Sequence, residues 1–164
     1  MPWRRFASSS GSDVRAVVQR VAWAKVTVNG EEVGVIARGL LVYLGAGKGD
    51  DDAARAWTLA KVLGLRIFPN EQGKMDRSVV DVGGALLVVS QFTLYADVSK
   101  GRRPSFEGAM PPDEAERAYD AFVAHARAAG VAVATGRFRA DMKVTSENDG
   151  PITIVLESPQ GRAS

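Results

Sequence analysis

Two short segments hold the residues best placed for chemistry in this chain. Ser90-Gln91-Phe92-Thr93-Leu94-Tyr95 closes a continuous apolar run, and Asn148-Asp149-Gly150-Pro151-Ile152-Thr153 precedes the last one. Neither contains histidine, cysteine or a carboxylate pair, so chemistry at either must draw on backbone groups, hydroxyls and the substrate itself. At the end of a strand the ladder stops pairing, and amides freed there can form an oxyanion hole without any charged side chain. The same Ser90, Gln91, Phe92 and Thr93 also fit a strand that simply stops in a Thr-containing turn. Thr93 has the position of a nucleophile, but no base is visible to activate it. Gly150-Pro151 is open in the same way: a turn before an edge strand, or a cis peptide, which about 5–6% of X-Pro bonds in folded proteins adopt.

The remaining candidates have plainer readings. Gly45-Ala46-Gly47-Lys48-Gly49-Asp50 lies between an apolar run and a helix, where a phosphate loop would lie. A P-loop needs Gly five positions before its Gly-Lys pair and Ser or Thr after the Lys; Val42 and Gly49 occupy those places. His125, the only histidine, sits among alanines with neither a nucleophile nor an orienting partner nearby, so a structural role is expected. Asp50-Asp51-Asp52 and Asp113-Glu114 suit the positive ends of helices. Lys100 with Arg102-Arg103, and Arg137 with Arg139 and Lys143, are the basic clusters, read as solvated surface or as phosphate contacts.

The elements that must position these residues read as strands first. Arg15–Val21 and Ala24–Val28 precede Asn29-Gly30, the strongest short hairpin signal, and Glu32–Ile36 returns. Leu40–Gly45 and Ala85–Phe92 are apolar without alternation, the mark of strands covered on both faces, and the second is expected near the sheet's centre. Between them Asp50–Gly64 predicts a helix, with Ala53, Trp57, Ala60 and Gly64 recurring at helical spacing. Glu71–Lys74 and Gly83-Gly84 are turns. Pro111-Pro112, Asp113 and Glu114 start a second helix, which carries Ala115, Tyr119, Phe122, Ala126 and Ala129 on one face and ends before Gly130. Strands near Val131–Val133, Met142–Val144 and Ile152–Leu156 complete an α+β fold: a mainly antiparallel sheet curled toward a barrel, with two helices packed on it.

Composition bounds the function. A chain of 164 residues fits one domain and, at that size, buries roughly 68–70% of its unfolded surface. The absence of cysteine removes thiol nucleophiles, CxxC redox chemistry and thiolate metal sites. No metal site or cofactor is expected. A net charge of +2 gives no global pull toward nucleic acid, so any RNA contact must use local patches. No apolar run approaches the roughly 20 residues of a membrane span. Residues 1–13 lack periodicity and the apolar stretch of a secretory signal, and are expected to be a flexible arm before a domain at 14–158 and a tail at 159–164.

Taken together, Arg15–Val21, Ser90–Leu94, Gly101–Phe106, Thr135-Gly136-Arg137-Phe138 and Asn148–Thr153 closely resemble the D-aminoacyl-tRNA deacylases, in that family's order and from Val14 to about Ser158. The resemblance implies a cytoplasmic homodimeric editing enzyme that cleaves D-aminoacyl-tRNA to free tRNA and amino acid. Its partner is the aminoacyl-tRNA acceptor end. It implies a cis Gly150-Pro151 bond on a turn that crosses into the partner's site, holds the substrate amino group and leaves no room for an L side chain. Glycine has no side chain to exclude, so glycyl-tRNA mischarged on the alanine tRNA is an implied second substrate. Ser90, Gln91, Phe92 and Thr93 are the implied catalytic strand end. Gly150, Pro151, Arg20, Asn148, Phe106 and Met142 are the implied substrate-binding set, with Arg20 fixing the turn. Ester hydrolysis by water would then use amides around Phe92 and Thr93, assisted by the 2′-hydroxyl of the terminal ribose.

The chain departs from the family pattern twice. Members usually start with Met at the place of Val14, so residues 1–13 are either an extension or a misassigned start, which the intact mass of the native protein decides. Arg139 stands where Gly is common, which puts an arginine into any positive-φ turn near Met142. One rival is a relative that edits L-alanine mischarged onto tRNA, with a strand-end motif like Pro-Gln-Ala-Thr and a trans Gly-Pro bond; Ser90 and Phe92 argue against it. A second is a non-catalytic RNA-binding or dimerisation module on the same fold.

Overall fold

The computed structural model describes residues 13–159. The arm expected over residues 1–13 therefore lies outside the described residues except at its last position. Asp13 is buried and pairs with Arg15 at 3.2 Å, so it belongs to the folded domain.

Strand β1 (Arg15–Val28) organises the sheet. It turns at Asn29 and Gly30, both with positive φ (50° and 78°), into β2 (Glu31–Ile36), the geometry that makes Asn-Gly so favourable in tight hairpins. The two strands read separately at Arg15–Val21 and Ala24–Val28 are one continuous strand. It pairs antiparallel with β2, with β3 (Gly39–Gly45) and with β8 (Lys143–Glu157). From β3 onward the pairing is parallel: β3 to β6 (Ala85–Ser90), and β6 to β7 (Ala132–Thr135). Helix α1 (Asp52–Gly64) lies between β3 and β6 in the chain, and α2 (Pro112–Ala128) between β6 and β7. A small hairpin of β4 (Phe68–Pro69) and β5 (Met75–Arg77) stands apart.

Burial explains the unbroken apolar runs. Leu40, Val42, Leu44, Leu86 and Val88 face a core shared with Val62, Phe122, Val123 and Ala126 of the helices. Their neighbours Leu41, Leu87 and Val89 face a second core with Val21, Ala24, Val26 and Ile36. Successive residues of a strand point to opposite faces, so a strand with a core on each side cannot alternate. Strand β6 is interior, between β3 and β7. The sheet curls far enough for β2 to meet β7: a Cβ placed on Gly34 would sit 2.2 Å from the Thr135 carbonyl oxygen, so only glycine allows the approach.

The helices differ in detail from their sequence signals. Helix α1 starts at Asp52, two residues after Asp50: Asp51 is its N-cap, and the Asp51 side chain accepts the Ala54 amide at 2.8 Å. Its buried stripe is Ala54, Thr58 and Val62, while of the stripe expected from Ala53, Trp57, Ala60 and Gly64 only Trp57 is half-buried and the others are exposed. Small residues gain little from burial. Thr58 is tolerated inside because its hydroxyl donates back to the Ala54 carbonyl at 2.9 Å. On α2, Tyr119, Phe122 and Ala126 are buried as expected, joined by Ala118 and Val123, while Ala129 is exposed beyond the helix end.

Candidate active site

Strand β6 ends at Ser90, and the chain turns at once into a 3₁₀ helix, Phe92–Tyr95. The Gln91 amide donates to the Leu44 carbonyl at 2.8 Å, extending the β3–β6 ladder by one bond. The Leu94 amide then donates to Gln91 and the Ala96 amide to Thr93. The amides of Phe92 and Thr93 fall between these, and the first donors of a helical turn have no carbonyl behind them. Among the described residues, two adjacent backbone donors are thereby left without a backbone partner at the strand end. The Gln91 amide group donates to the Thr93 hydroxyl.

A cavity of about 770 Å³ opens beside this turn. Ser90, Gln91, Phe92, Phe106, Phe138 and Met142 line it, and Thr93 does not. The Phe92 and Phe106 rings meet edge to face with centroids 5.1 Å apart, a favoured aromatic geometry. Phe92 is nevertheless 57% exposed, so one ring face is free. Tyr119 supports the floor: its hydroxyl donates to the Val88 carbonyl at 2.7 Å, its ring lies against Phe138, and burial pushes its pKa up to about 12. Met142 sits over Gly136, where a Cβ would come within 2.6 Å of its sulfur. That contact gives the Thr135-Gly136-Arg137-Phe138 motif a packing reason.

Arg139, beside this wall, has φ of 64°. The left-handed turn expected from its alignment with glycine is therefore present, and the arginine pairs with Asp113 at 2.5 Å. Asp50, which also lines the cavity, accepts Arg55 Nη1 at 3.0 Å through Oδ1, while Oδ2 has no partner among the described residues. Burial outweighs the Arg55 charge and pushes the Asp50 carboxyl up to about 6. Neither Tyr119 nor Asp50 stood out as a site residue in the sequence. The Asp50–Asp52 run reads as a helix start, and Asp51 as N-cap and Asp52 in the first turn play that part, whereas Asp50 does not.

The second motif lies away from this wall. Gln19 pairs with Thr153 and Val21 with Asn148, so Arg20 alone faces an excursion of β8 that contains Asp149–Ile152. Arg20 Nε donates to the Asp149 carbonyl at 3.1 Å, and Nη1 to the Ile67 carbonyl at 2.7 Å. Asn148 closes the excursion from within: its Oδ1 accepts the Ile152 amide at 3.0 Å, and its Nδ2 donates to Thr153 Oγ1 at 3.1 Å. The Gly150-Pro151 bond is cis, and Gly150 has φ of 135°. Thus Ser90, Gln91, Phe92, Phe106 and Met142 share one cavity, whereas Arg20, Asn148, Gly150 and Pro151 build a separate projecting turn. His125 is exposed on α2. Lys100, Arg102 and Arg103 lie exposed on the loop before Phe106.

The architecture is that of an α+β fold, a barrel-like, mostly antiparallel sheet carrying two helices, with an aromatic-walled cavity beside the end of β6. The model of the family described as D-Tyr-tRNA(Tyr) deacylase matches residues 17–157. The D-aminoacyl-tRNA deacylase of Variovorax paradoxus is 60% identical over 144 residues, covering 88% of this chain and 99% of that one. That of Sorangium cellulosum is 56% identical over 146 residues, covering 88% and 97%. This chain belongs to that deacylase family. Among solved structures, the c-Myc DNA Unwinding Element Binding Protein superposes with a TM-score of 0.85 at 44% identity, covering 88% of this chain and 99% of that one. A probable eukaryotic D-amino acid tRNA deacylase shares the fold with a TM-score of 0.75 at 20% identity over the same shares.

Proposed function

We propose that the protein hydrolyses the ester of D-aminoacyl-tRNA, releasing free tRNA and the D-amino acid, and spares L-aminoacyl-tRNA. The observation that carries this reading is the strand end: two adjacent amides without backbone partners among the described residues, next to a cavity large enough for the end of an aminoacylated nucleotide. Ester hydrolysis places negative charge on the carbonyl oxygen as water adds. Donors already aimed at that oxygen stabilise it more in the transition state than in the ground state. The Phe92 and Thr93 amides supply those donors, and the 2′-hydroxyl of the terminal ribose assists proton movement. Phe106 and Met142 offer apolar walls for the nucleoside.

Chirality is read by exclusion at the Gly150-Pro151 turn, which Arg20 and Asn148 hold in shape. In one chain this turn does not border the cavity, and a second copy bringing its turn to the first chain's strand end would complete the site. The working unit is therefore a homodimer acting in the cytoplasm on the acceptor end of charged tRNA. An α-carbon filter has nothing to exclude in glycine, so glycyl-tRNA mischarged on the alanine tRNA is a second substrate.

The test is hydrolysis of D-tyrosyl-tRNA beside L-tyrosyl-tRNA at equal enzyme concentration, with spontaneous loss subtracted. Loss of the D ester alone is expected. Binding without loss of either ester would leave a non-catalytic module. A monomer by light scattering under assay conditions would remove the shared site.

A further inference from the structure

The strand-end turn is only four residues long, and 3₁₀ turns of that length have poor hydrogen-bond geometry of their own. Something outside the turn must fix the direction of its first amides. We propose that Tyr95 is a positioning residue that locks the catalytic turn to the sheet, and that the Gly45-Ala46-Gly47 segment is its seat.

The geometry is specific. Tyr95 closes the turn and is 5% exposed. Its hydroxyl accepts the Arg15 amide at 3.2 Å and has two carbonyl acceptors, Asp13 at 2.7 Å and Gly45 at 2.9 Å. One phenol thus joins the last residue of the turn to β1 and to the end of β3. Burial holds its pKa above the ordinary tyrosine value, so it stays protonated and able to donate. Arg15 adds a second tie: its guanidinium lies 5.0 Å from the Tyr95 ring centroid, and Nη1 donates to the Leu94 carbonyl at 3.1 Å.

The glycines complete the argument. A Cβ on Gly45 would lie 2.7 Å from Tyr95 Cε2, and one on Gly47 would lie 2.9 Å from Cε1. Real side chains do not approach so closely, so the ring can occupy its place only if both positions lack a side chain. The segment that imitates a phosphate loop in sequence is thereby accounted for as the receptacle of an aromatic ring. Two donors that must meet a developing oxyanion tolerate little displacement, since about 1 Å of misplacement can cost on the order of 10²-fold in rate. The phenol acts on the reaction only through the backbone it holds.

This inference rests on the deacylase reading, and two readouts separate their failures. Tyr95→Phe keeps the ring and removes the hydroxyl. With D-tyrosyl-tRNA, kcat is expected to fall about tenfold while KM stays within about twofold. Exchange of the hydrogen-bonded amides of the turn, Leu94 to the Gln91 carbonyl and Ala96 to the Thr93 carbonyl, is expected to quicken at least about tenfold, a loss of local protection. Gly47→Ala, which crowds both the ring and the Asp13 carbonyl that accepts the Tyr95 hydroxyl, should show the same kcat-selective loss. Val62→Ala, a cavity in the distant helix-side core, controls for lost stability and should leave kcat unchanged. A Tyr95→Phe enzyme with wild-type kcat, a loss confined to KM, or a loss matched by Val62→Ala would overturn the proposal. If the wild-type protein hydrolyses neither ester, the deacylase reading fails, and unchanged exchange at Leu94 and Ala96 in Tyr95→Phe would still refute the anchoring on its own.

Discussion

Arg20 Nε lies 3.1 Å from the carbonyl oxygen of Asp149 and 3.5 Å from that residue's carboxylate, so one guanidinium grips the backbone and side chain of the residue just before Gly150. Its other arm donates to Ile67, which is buried and has no solvent to replace that bond. A planar fork reaches the two carbonyls from two separate nitrogens held in a rigid plane, whereas an ammonium offers all its donors from one nitrogen on a flexible stem. Arg20→Lys should therefore destabilise the domain by about 1–3 kcal/mol, the cost of stranding a buried acceptor. Thermal unfolding checks that figure. In the deacylation assay the same variant should lose D-ester hydrolysis without weakening tRNA binding, since Arg20 acts on the turn.

Gly150 tests the turn from inside. Its φ of 135° is one that L side chains rarely adopt, and an added Cβ would lie 2.7 Å from Ile152 Cγ1 and 2.9 Å from the Ile152 amide nitrogen. The Ile152 amide is also the donor to Asn148 Oδ1, so relief of the clash breaks the bond that closes the excursion. Gly150→Ala should reduce kcat/KM for D-tyrosyl-tRNA by about 10²-fold, the scale of a displaced positioning element. Circular dichroism should show the sheet retained. Full activity in a folded Gly150→Ala protein would exclude the turn from the reaction.

At Arg139 the usual order of alanine and glycine is expected to reverse. Both Arg139→Ala and Arg139→Gly lose the exposed ion pair with Asp113, which at such a site is worth about 0–1 kcal/mol. Only glycine relieves the left-handed backbone at φ of 64°. Arg139→Gly should exceed Arg139→Ala in stability by about 1 kcal/mol, or about 2–4 °C in Tm for a domain of this size. Differential scanning calorimetry of the pair decides it.

Asp50 should leave a signature in the pH dependence of stability. Its carboxyl is pushed up to about 6, first by burial, from an ordinary value of 3.8. Between those values the native state holds more protons than the unfolded chain, so stability from this group is greatest below about pH 4 and is lost as pH rises through 6. Above that window the curve is flat. The loss is on the order of 1–2 kcal/mol after partial screening by Arg55 and solvent. Asp50→Asn removes the titration, and the difference between the two stability curves over pH 4–7 measures it.

Much of the fold was legible because it is local. Asn29-Gly30 gives the hairpin, and the unbroken apolar runs of β3 and β6 announce strands with a core on both faces. That second signal also points to parallel pairing, which a count of strands and hairpins obscured. The α1 stripe was missed because periodicity ranks alanine and tryptophan above threonine, and only the three-dimensional bond from Thr58 to Ala54 makes threonine a core residue. The strand-end site was legible as an abrupt change from apolar to polar at Ser90. Its supports were not: Tyr95 reaches Asp13 and Gly45 across 82 and 50 positions, and nothing in local spacing reports such a bond. The pair Gly45 and Gly47 did carry a signal, since a position that excludes every side chain asks what fills the space.

Thr93 is the residue on which a nucleophilic mechanism would have to stand. Its hydroxyl is exposed at the start of the 3₁₀ turn, and its side-chain partner is the Gln91 amide. A primary amide donates a hydrogen bond to the oxygen but cannot take its proton, so the hydroxyl remains a poor nucleophile near neutral pH. The Thr93 backbone amide, by contrast, survives substitution of the side chain. Thr93→Ala should therefore slow D-tyrosyl-tRNA hydrolysis by less than about tenfold, well short of the roughly 10⁴-fold or greater loss seen when a true nucleophile is removed. Thr93→Pro deletes the amide itself and should abolish turnover. Because proline also tends to distort the turn, the informative quantity is the ratio of the two rates in proteins of equal helix and sheet content. An alanine variant as dead as the proline variant would move the chemistry from the backbone to the hydroxyl.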